Sequence, residues 1–335
     1  MNLTTQLARL SQWAERVWYK DPFIGVWLMP FGFFYSDIVR FRKFLYRMGV
    51  LKSHKLAAPV IIVGNITVGG TGKTPLVIWL AQYLRQQGYN PGVISRGFKG
   101  QTQPSPQLVS VHSTPEQVGD EAMLIAKHSG CPVAVCPDRV AAGRLLIEQH
   151  QCSLIIADDG LQHYALQRDI EIAVIDGQRR FGNSYCLPAG PLREPINRLQ
   201  SVDLIVVNGE RYEDNELAMR MIGTHAINLT TGQTKALSEW AGLSCHALAG
   251  IGNPQRFFDL LQTAGLVCDT VSFPDHHLFH ASDIQFNDTK PVLMTEKDAV
   301  KCVTFADERH WYVPITAEPE QEFVRRLMEI VNNKL

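Results

Sequence analysis

One glycine-rich segment near the first third of the chain constrains the fold more than any other feature. A run rich in β-branched residues, from Pro59 to Asn65, is followed by Ile66-Thr-Val-Gly-Gly-Thr-Gly-Lys-Thr-Pro75 and then by an apolar stretch from Leu76 to Leu84. This order of strand, loop and helix is the context that a phosphate-binding loop requires. The sequence therefore predicts a nucleotide-binding α/β fold built around this loop.

The residue types in the loop suit a polyphosphate. Glycines let the backbone curl so that successive N–H groups point at the phosphates, and the following helix adds the positive end of its dipole. Lys73 is expected to reach the β- and γ-phosphates, and the Thr74 hydroxyl to hold Mg²⁺. The usual pattern has glycine at position 67, where this chain has threonine, and we interpret that departure as a subfamily difference. The predicted nucleotide-binding residues are Thr67, Val68, Gly69, Gly70, Thr71, Gly72, Lys73 and Thr74.

Length and composition bound the class of protein. With 335 residues and a net charge of −1, the chain is long enough for a full core and two domains. The seven cysteines form no C-x-x-C pair and no ligand cluster, which indicates reduced thiols in a cytosolic environment. The N-terminus lacks the charged tip and apolar core of a cleavable signal, so none is expected.

The first 55 residues differ from the rest in charge and aromatic content. They contain nine Lys and Arg against three Asp and Glu, and twelve aromatic residues. The apolar run from Phe23 to Tyr35 is shorter than the ~20 residues of a spanning helix and is interrupted by Pro30. Aromatic rings followed by cations favour a helical segment that lies in the headgroup region of a membrane. The alternative is a helical arm packed on the protein's own core. The cations concerned are Arg40, Arg42, Lys43 and Arg47.

A second informative stretch lies about eighty residues after the phosphate loop. The apolar run that begins at Ser153 ends in Asp158 and Asp159 and continues as Gly-Leu-Gln162-His163. Apolar residues ending in aspartate are typical of a Walker B element, which places a carboxylate near the Mg²⁺ that the loop threonine holds. We therefore predict that both aspartates contribute to a metal site.

Further apolar runs alternate with helical patterns, which favours a mostly parallel sheet with helices on both faces. One predicted helix starts at Arg139, with Arg139 and Arg144 expected to be exposed. The predicted organisation is an N-terminal membrane-associating segment, a P-loop core, a linker and a smaller C-terminal α/β domain. Their predicted ranges are 1–55, 56–225, 226–245 and 246–335.

The residues alone leave the functional roles of two polar motifs undecided. Arg193 lies in the proline-rich stretch from Leu187 to Pro195, where it is either a phosphate clamp or a surface arginine. His276 and His277 follow a predicted strand, with a third histidine shortly after. We prefer acid–base or substrate contacts for them over a metal site, and a surface cluster without a role is the alternative.

Taken together, VGNITVGGTGKTP, SRGFKG, GDEA, DDGLQH, PAGPLREP, FPDHH and TEKDAVK resemble, in the same order, the tetraacyldisaccharide 4′-kinase family of Gram-negative bacteria. The resemblance covers nearly the whole chain, including the basic aromatic N-terminus. It implies phosphoryl transfer from ATP, with Mg²⁺, to the 4′-hydroxyl of a tetraacylated glucosamine disaccharide 1-phosphate, giving lipid IVA. The implied partners are this lipid and the cytoplasmic face of the inner membrane, which the chain would meet as a peripheral or monotopic protein. No nucleic-acid partner is expected.

The resemblance also implies residue roles. Asp120 would be the base, oriented by His276 reaching over from the C-terminal domain, and closure of that domain would exclude water. Lys73 would neutralise phosphate charge. Glu121 would support the metal shell of Thr74, Asp158 and Asp159. Substrate contacts are implied for Arg193, Gln162 and His163.

Two other classes share parts of the pattern. A membrane-associated P-loop ATPase switch acting on a protein partner would carry a lysine just before the two glycines, where this chain has Val68, and would lack FPDHH. A GTP-dependent metal chaperone would need an Asn/Thr-Lys-x-Asp motif, and Thr295-Glu-Lys-Asp298 has its lysine one place too late. Both comparisons favour the kinase.

Overall fold

The computed structural model describes residues 13–21, 25–97, 105–110, 112–275 and 277–335. The chain divides into two compact units. The first comprises the described parts of Met1–Arg220 together with Ala317–Leu335, and the second comprises Met221–Thr316.

The first unit is built on a nine-stranded sheet with the order β15-β8-β7-β6-β1-β5-β2-β4-β3. The pairs from β8 through β4 are parallel, and the short edge strand β3 is antiparallel to β4. The central strands are buried along their whole length, as expected where helices cover both faces. The strands are β1 (Val60–Gly64), β2 (Pro91–Ser95), β3 (Gln107–Leu108), β4 (Val133–Val135), β5 (Leu154–Asp158), β6 (Ile170–Asp176), β7 (Leu204–Asn208), β8 (Glu216–Ile222) and β15 (Thr316–Pro319).

Helices alternate with these strands, which confirms the predicted α/β class. Asp138 caps one of them, because its carboxylate accepts hydrogen bonds from the N–H groups of Val140 and Ala141. Residues 13–19 are also helical, and a 3₁₀ helix spans Ile196–Ser201. The helices are α1 (Met29–Arg47), α2 (Lys73–Gln86), α3 (Pro115–Val118), α4 (Asp120–Ser129), α5 (Arg139–His150) and α9 (Gln321–Lys334).

Helix α1 has two distinct faces. Gly32 and Ser36 are buried, and a Cβ atom at Gly32 would lie 3.0 Å from the carbonyl oxygen of Cys186, so this face packs closely on the first unit. The other face carries exposed apolar side chains at helical spacing. These are Phe31, Phe34, Ile38 and Phe41. Among the described residues, no helix has both the length and the apolar character needed to cross a bilayer.

The second unit contains a six-stranded sheet with the order β10-β9-β14-β13-β11-β12. Strands β12, β11, β13 and β14 run parallel, and β9 is antiparallel to both β14 and β10. The strands are β9 (His225–Asn228), β10 (Thr234–Ala236), β11 (Ser244–Ala249), β12 (Val267–Ser272), β13 (Val292–Thr295) and β14 (His310–Val313). The helices are α6 (Pro254–Thr263), α7 (Ala281–Ile284) and α8 (Glu296–Cys302), with a 3₁₀ helix at Leu237–Trp240.

The units divide at positions other than the predicted ones. The segment predicted as a linker, 226–245, contains most of β9, all of β10 and a 3₁₀ helix, and Leu237 and Trp240 are buried. These strands are too short to give a clear periodicity. The last residues, 317–335, belong to the first unit, where Phe323 lies against Trp79 with ring centroids 5.8 Å apart. Their partners are distant in sequence, so no local pattern identifies them.

Candidate active site

The phosphate loop connects β1 to α2 at the carboxyl edge of the first sheet. Gly69 and Gly72 have φ angles of 110° and 96°, a region that side chains with a Cβ atom rarely enter. Lys73 and Thr74 are the first two residues of α2. The side-chain amide of Asn208, at the end of β7, donates a hydrogen bond to the carbonyl oxygen of Thr71 at 3.1 Å. The loop is therefore supported from a neighbouring strand.

The first half of the loop pairs with the proline-rich segment that contains Arg193. Thr67 forms an isolated antiparallel bridge with Leu192, and the Val68 N–H donates to the Pro191 carbonyl at 2.8 Å. The Arg193 N–H donates to the Ile66 carbonyl at 2.6 Å. Paired backbone of this kind does not require glycine, which accounts for threonine at position 67. No local sequence pattern predicts this pairing.

Three predicted elements meet at Asp159. Its Oδ1 atom lies 3.6 Å from Lys73 Nζ, and Arg193 Nη1 lies 2.9 and 3.1 Å from its two carboxylate oxygens. The same Arg193 nitrogen donates to Asn65 Oδ1 at 3.0 Å. Burial acts to raise the pKa of Asp159, but the charges of Lys73 and Arg193 hold it well below its usual range. Asp159 is therefore an ionised carboxylate between two cations.

The adjacent Asp158 is in a different electrostatic state. It is 1% exposed, and neither carboxylate oxygen has a hydrogen-bond donor among the described residues. Burial, together with the charges of Glu121 and Asp159, raises the pKa of Asp158 to about 7. A buried carboxylate without a donor is costly unless a cation compensates it, and hard divalent cations prefer oxygen ligands. The residues present thus fit a magnesium ion.

The predicted metal residues do not form a closed cage. Among the residues that the structure describes, no three His, Cys, Asp or Glu side chains are grouped to hold a metal ion by themselves. Mg²⁺ keeps several waters and binds substrate phosphates in sites of this type, so one or two carboxylates are sufficient. Asp158 fits that role better than Asp159, whose oxygens are already paired with cations.

Arg139 was expected to be exposed, and that prediction is wrong. The residue is 6% exposed, and its Nη2 atom donates to the carbonyl oxygens of Asp158 at 3.3 Å and Asp159 at 2.8 Å. Asp159 has a φ angle of 50°, an uncommon conformation that aspartate tolerates. Arg139 thus stabilises the turn that separates the two carboxylates. The available signal was its position directly after the Asp138 cap, which places it at the amino end of α5.

The two acids of the GDEA motif begin helix α4. Asp120 is 6% exposed, and its Oδ1 atom accepts a hydrogen bond from the Glu121 N–H at 2.9 Å. The charge of Glu121 contributes to the raised pKa of Asp158, so Glu121 lies in the electrostatic environment of the Walker B aspartates. A carboxylate of the GDEA motif therefore acts on a carboxylate of the Walker B segment.

Gln162 and His163 are held by the same network. Gln162 Nε2 donates to the Asn65 carbonyl at 3.0 Å and to Glu194 Oε1 at 2.8 Å, and Glu194 Oε2 accepts from the Tyr164 hydroxyl at 2.5 Å. Gln162 thereby connects the Walker B segment to the phosphate loop, through Asn65, and to the proline-rich segment, through Glu194. Burial and the positive charge of Arg139 lower the pKa of His163 to about 4, so its imidazole is neutral at pH 7.

The histidine motif belongs to the second unit. His276 lies outside the described residues. His277 Nε2 lies 3.1 Å from Asp283 Oδ2, and the imidazole stacks on the ring of Phe273 with centroids 4.7 Å apart. His277 is therefore fixed by two neighbours. In the SRGFKG motif, residues 98–100 are also outside the described part.

Comparisons with known proteins agree over nearly the full length. The family profile described as tetraacyldisaccharide-1-P 4′-kinase matches residues 24–332. The tetraacyldisaccharide 4′-kinase of Nitrosococcus oceani is 48% identical over 316 residues, which cover 94% of this chain and 93% of that protein. The enzyme of the same name from Pasteurella multocida is 48% identical over 315 residues, covering 93% and 96%.

A solved structure agrees as well. The structure described as the "apo" form of LpxK from Aquifex aeolicus in complex with ATP matches with a TM-score of 0.77 and 29% identity. The match covers 92% of this chain and 99% of the Aquifex chain.

Proposed function

The chain belongs to the tetraacyldisaccharide 4′-kinase family, and from this membership we propose the reaction that its site performs. The enzyme transfers the γ-phosphate of ATP to the 4′-hydroxyl of a tetraacyldisaccharide 1-phosphate, giving lipid IVA for the synthesis of lipid A. The observation that carries the proposal is the convergence on Asp159 of Lys73 from the phosphate loop and Arg193 from the proline-rich segment. Two cations beside an acidic pair suit a polyphosphate bound with a divalent cation.

The transfer forms a bond between the 4′-oxygen and the γ-phosphorus and breaks the bond to the β,γ-bridging oxygen. ADP leaves with that electron pair, and the hydroxyl proton passes to Asp120 as general base. Lys73 and Arg193 neutralise negative charge on the phosphates. The loop from Thr67 to Thr74 binds the phosphates through N–H groups other than that of Val68, which is paired with Pro191. We assign His276 the role of orienting the base. Gln162 and His163 are assigned to the sugar headgroup, where a neutral imidazole can donate or accept a hydrogen bond.

Magnesium would be held by the Thr74 hydroxyl and Asp158, with Asp159 and Glu121 in support. When bound, it would neutralise negative charge on the phosphates. The surrounding residues bury the Asp158 carboxylate and leave its oxygens without a hydrogen-bond donor among the described residues. Arg139 supports this arrangement because it binds the backbone carbonyls of the turn.

The acylated substrate requires access to a membrane surface. We place the enzyme at the cytoplasmic face of the inner membrane, attached through α1 without crossing the bilayer. Support comes from the exposed apolar stripe of α1 and from its cations, of which Arg40 and Arg47 suit anionic headgroups. Arg42 differs, because its Nη1 atom donates to the Gln162 carbonyl at 3.1 Å. We therefore assign Arg42 to the substrate side and Arg40 to the lipid side.

The test is transfer of labelled γ-phosphate from ATP to purified tetraacyldisaccharide 1-phosphate in mixed micelles. Intact protein should label the lipid, and Asp120→Ala should reduce kcat by about two orders of magnitude, the scale of a positioned base. Glu116→Ala is the matched control, because Glu116 is an exposed acid on the neighbouring helix α3. ATP hydrolysis by intact protein without any labelled lipid would contradict the proposal and favour an ATPase switch.

The histidine assignment has its own comparison. His276→Ala should lose more activity than His277→Ala, because His277 is already engaged by Asp283 and Phe273. An equal or larger loss at His277 would transfer the orienting role to that residue.

A further inference from the structure

The TEKDAVK motif, Thr295 to Lys301, has no role in the reaction as described above, yet it lies beside the histidine motif. Strands β12, β11 and β13 are adjacent and parallel, so their carboxyl ends share one edge of the second sheet. The histidine loop, residues 273–280, follows β12, and helix α8 follows β13. Side chains of α8 can therefore reach the histidine loop.

Lys297 makes the first such contact. Its Nζ atom lies 3.3 Å from Oδ1 of Asp275, the residue directly before His276. The Lys297 side chain is 16% exposed, so solvent screens this ion pair less than a surface pair. The contact fixes the chain at Asp275.

Lys301 makes the second contact, one helical turn further along the same face of α8. Its Nζ atom donates to the His277 carbonyl at 3.4 Å and lies 5.4 Å from the centroid of the Phe279 ring. The same Nζ atom also donates to Oδ1 of Asp298 at 3.0 Å, and this ion pair fixes the end of the lysine side chain. The two lysines thus hold the loop on both sides of position 276.

Asp298 ties this arrangement to the sheet. It is fully buried, and its Oδ2 atom accepts hydrogen bonds from the Gly250 N–H at 2.8 Å and the Thr295 hydroxyl at 2.7 Å. Gly250 follows β11 and Thr295 ends β13. One carboxylate therefore connects the ends of two strands to the lysine that holds the histidine loop. A buried, fully paired carboxylate of this kind is rigid.

We propose that Lys297 and Lys301 are positioning residues that hold the histidine loop in the conformation needed for phosphoryl transfer. The proposal rests on the role assigned to His276, because the lysines act through the backbone and through Asp275. They lower the barrier by presenting the loop in one conformation, and they neither bind a phosphate nor transfer a proton. A misplacement of about 1 Å at a reacting group can cost roughly a hundredfold in rate.

The test uses the full-length enzyme with Lys297→Met, since Lys301→Met would leave the buried Asp298 without its cation and destabilise the fold. Lys290→Met is the matched control. Lys290 forms a comparable ion pair with Asp269, at 2.7 Å, but precedes β13 on the amino side of the sheet. Each variant is examined for kcat and KM, for thermal unfolding, and for hydrogen exchange in peptides covering residues 273–280.

We expect Lys297→Met to lower kcat by roughly tenfold to a hundredfold with KM for ATP unchanged and unfolding equal to that of the control. Exchange in the histidine loop should accelerate, and Lys297→Arg should restore both the slow exchange and most of the activity. A general loss of packing would instead lower the unfolding temperature and accelerate exchange throughout the second unit.

Unchanged kcat in Lys297→Met, while His276→Ala is inactive, would overturn the proposal. If His276→Ala is fully active, the role assigned to His276 fails, and the positioning proposal fails with it. Hydrogen exchange separates a failure of the His276 role from a failure of the lysine contacts. It reports whether the lysines order the loop, whether or not the histidine takes part in the reaction.

Discussion

Two adjacent carboxylates at the end of β5 have opposite electrostatic states. Asp159 is paired with Lys73 and Arg193, whereas Asp158 is buried without a donor among the described residues. The difference arises from the direction each side chain takes after the strand, because the positive φ angle of Asp159 redirects the chain. Two residues of the same type thus acquire different environments, one paired with cations and one buried without a hydrogen-bond donor among the described residues.

Substitution of Arg139 tests how much the geometry of the Asp158–Asp159 turn matters for activity. We expect Arg139→Met to lower kcat between roughly tenfold and a hundredfold, because the carbonyls of Asp158 and Asp159 lose their shared donor. Arg144→Met, an exposed change on the same helix, should retain full activity. The measurement is lipid phosphorylation at saturating ATP. Equal rates for the two variants would show that the turn holds its geometry without the guanidinium.

His163 provides a prediction about acid stability. Its pKa is lowered to about 4 by burial and by Arg139, below the ~6.5 of an unfolded histidine. Between these values the unfolded state binds more protons, so the free energy of unfolding falls as pH decreases from about 6.5 to about 4. We expect His163 to account for a loss of about 1 to 2 kcal/mol between pH 7 and pH 5.

Urea unfolding at both pH values measures this loss in the intact protein and in His163→Gln. The variant has no imidazole to protonate, so its stability should depend less on pH over that interval. The same pH dependence in both proteins would contradict a buried neutral histidine at this position.

At the scale of elements, α1 combines two surfaces that the sequence presented as alternatives. One face packs on the first unit, and the opposite face exposes aromatic and aliphatic side chains. An apolar patch of this kind promotes aggregation when it is exposed to water, and such patches commonly mark interaction sites. The flanking cations favour an anionic lipid surface as the partner.

Replacing Phe34 and Phe41 together by Asp should release the enzyme from vesicles that contain anionic lipid. Burying a phenylalanine side chain contributes about 1.5 to 3 kcal/mol, so loss of both should weaken partitioning by at least a hundredfold. Both residues are exposed, and the free energy of unfolding should therefore change little. Co-sedimentation with vesicles measures the partitioning.

The control for this experiment is Phe34→Leu with Phe41→Leu, which keeps the stripe apolar and should retain most of the binding. Undiminished sedimentation of the aspartate variant would exclude α1 as the membrane-binding element.

At the scale of the whole molecule, the chain leaves the first unit after Arg220, near the end of β8, and returns to it at Ala317 in β15. The returning helix α9 buries Phe323, Leu327 and Val331 against that unit. The second unit is therefore an insertion in the first one. Its own sheet has a separate core, which includes Trp240 and Phe257.

Phe323→Ala tests this organisation. Because the side chain is fully buried, the substitution should lower the free energy of unfolding by about 3 to 5 kcal/mol, whereas Arg325→Ala on the exposed side of α9 should change it by less than about 0.5 kcal/mol. Urea unfolding followed by circular dichroism gives both values. A loss at Phe323 no larger than at Arg325 would mean that α9 contributes little to the first unit.

The sequence by itself determined the class of fold and the positions of the chemical motifs. Both follow from local features: apolar runs that end in glycine or aspartate predict strands that lead into loops, and GGTGKT needs only its own flanking strand and helix. The predicted, mostly parallel sheet and the Walker B strand that ends at Asp158 are confirmed.

Only the tertiary structure decided what these motifs contact. The burial of Arg139, the pairing of Thr67 with Leu192 and the return of residues 317–335 to the first sheet join positions that are distant along the chain. Local periodicity carries no information about such partners. Solvent exclusion then separates the states of Asp158 and Asp159, because the energy of a carboxylate depends on the charges and donors that the fold places around it.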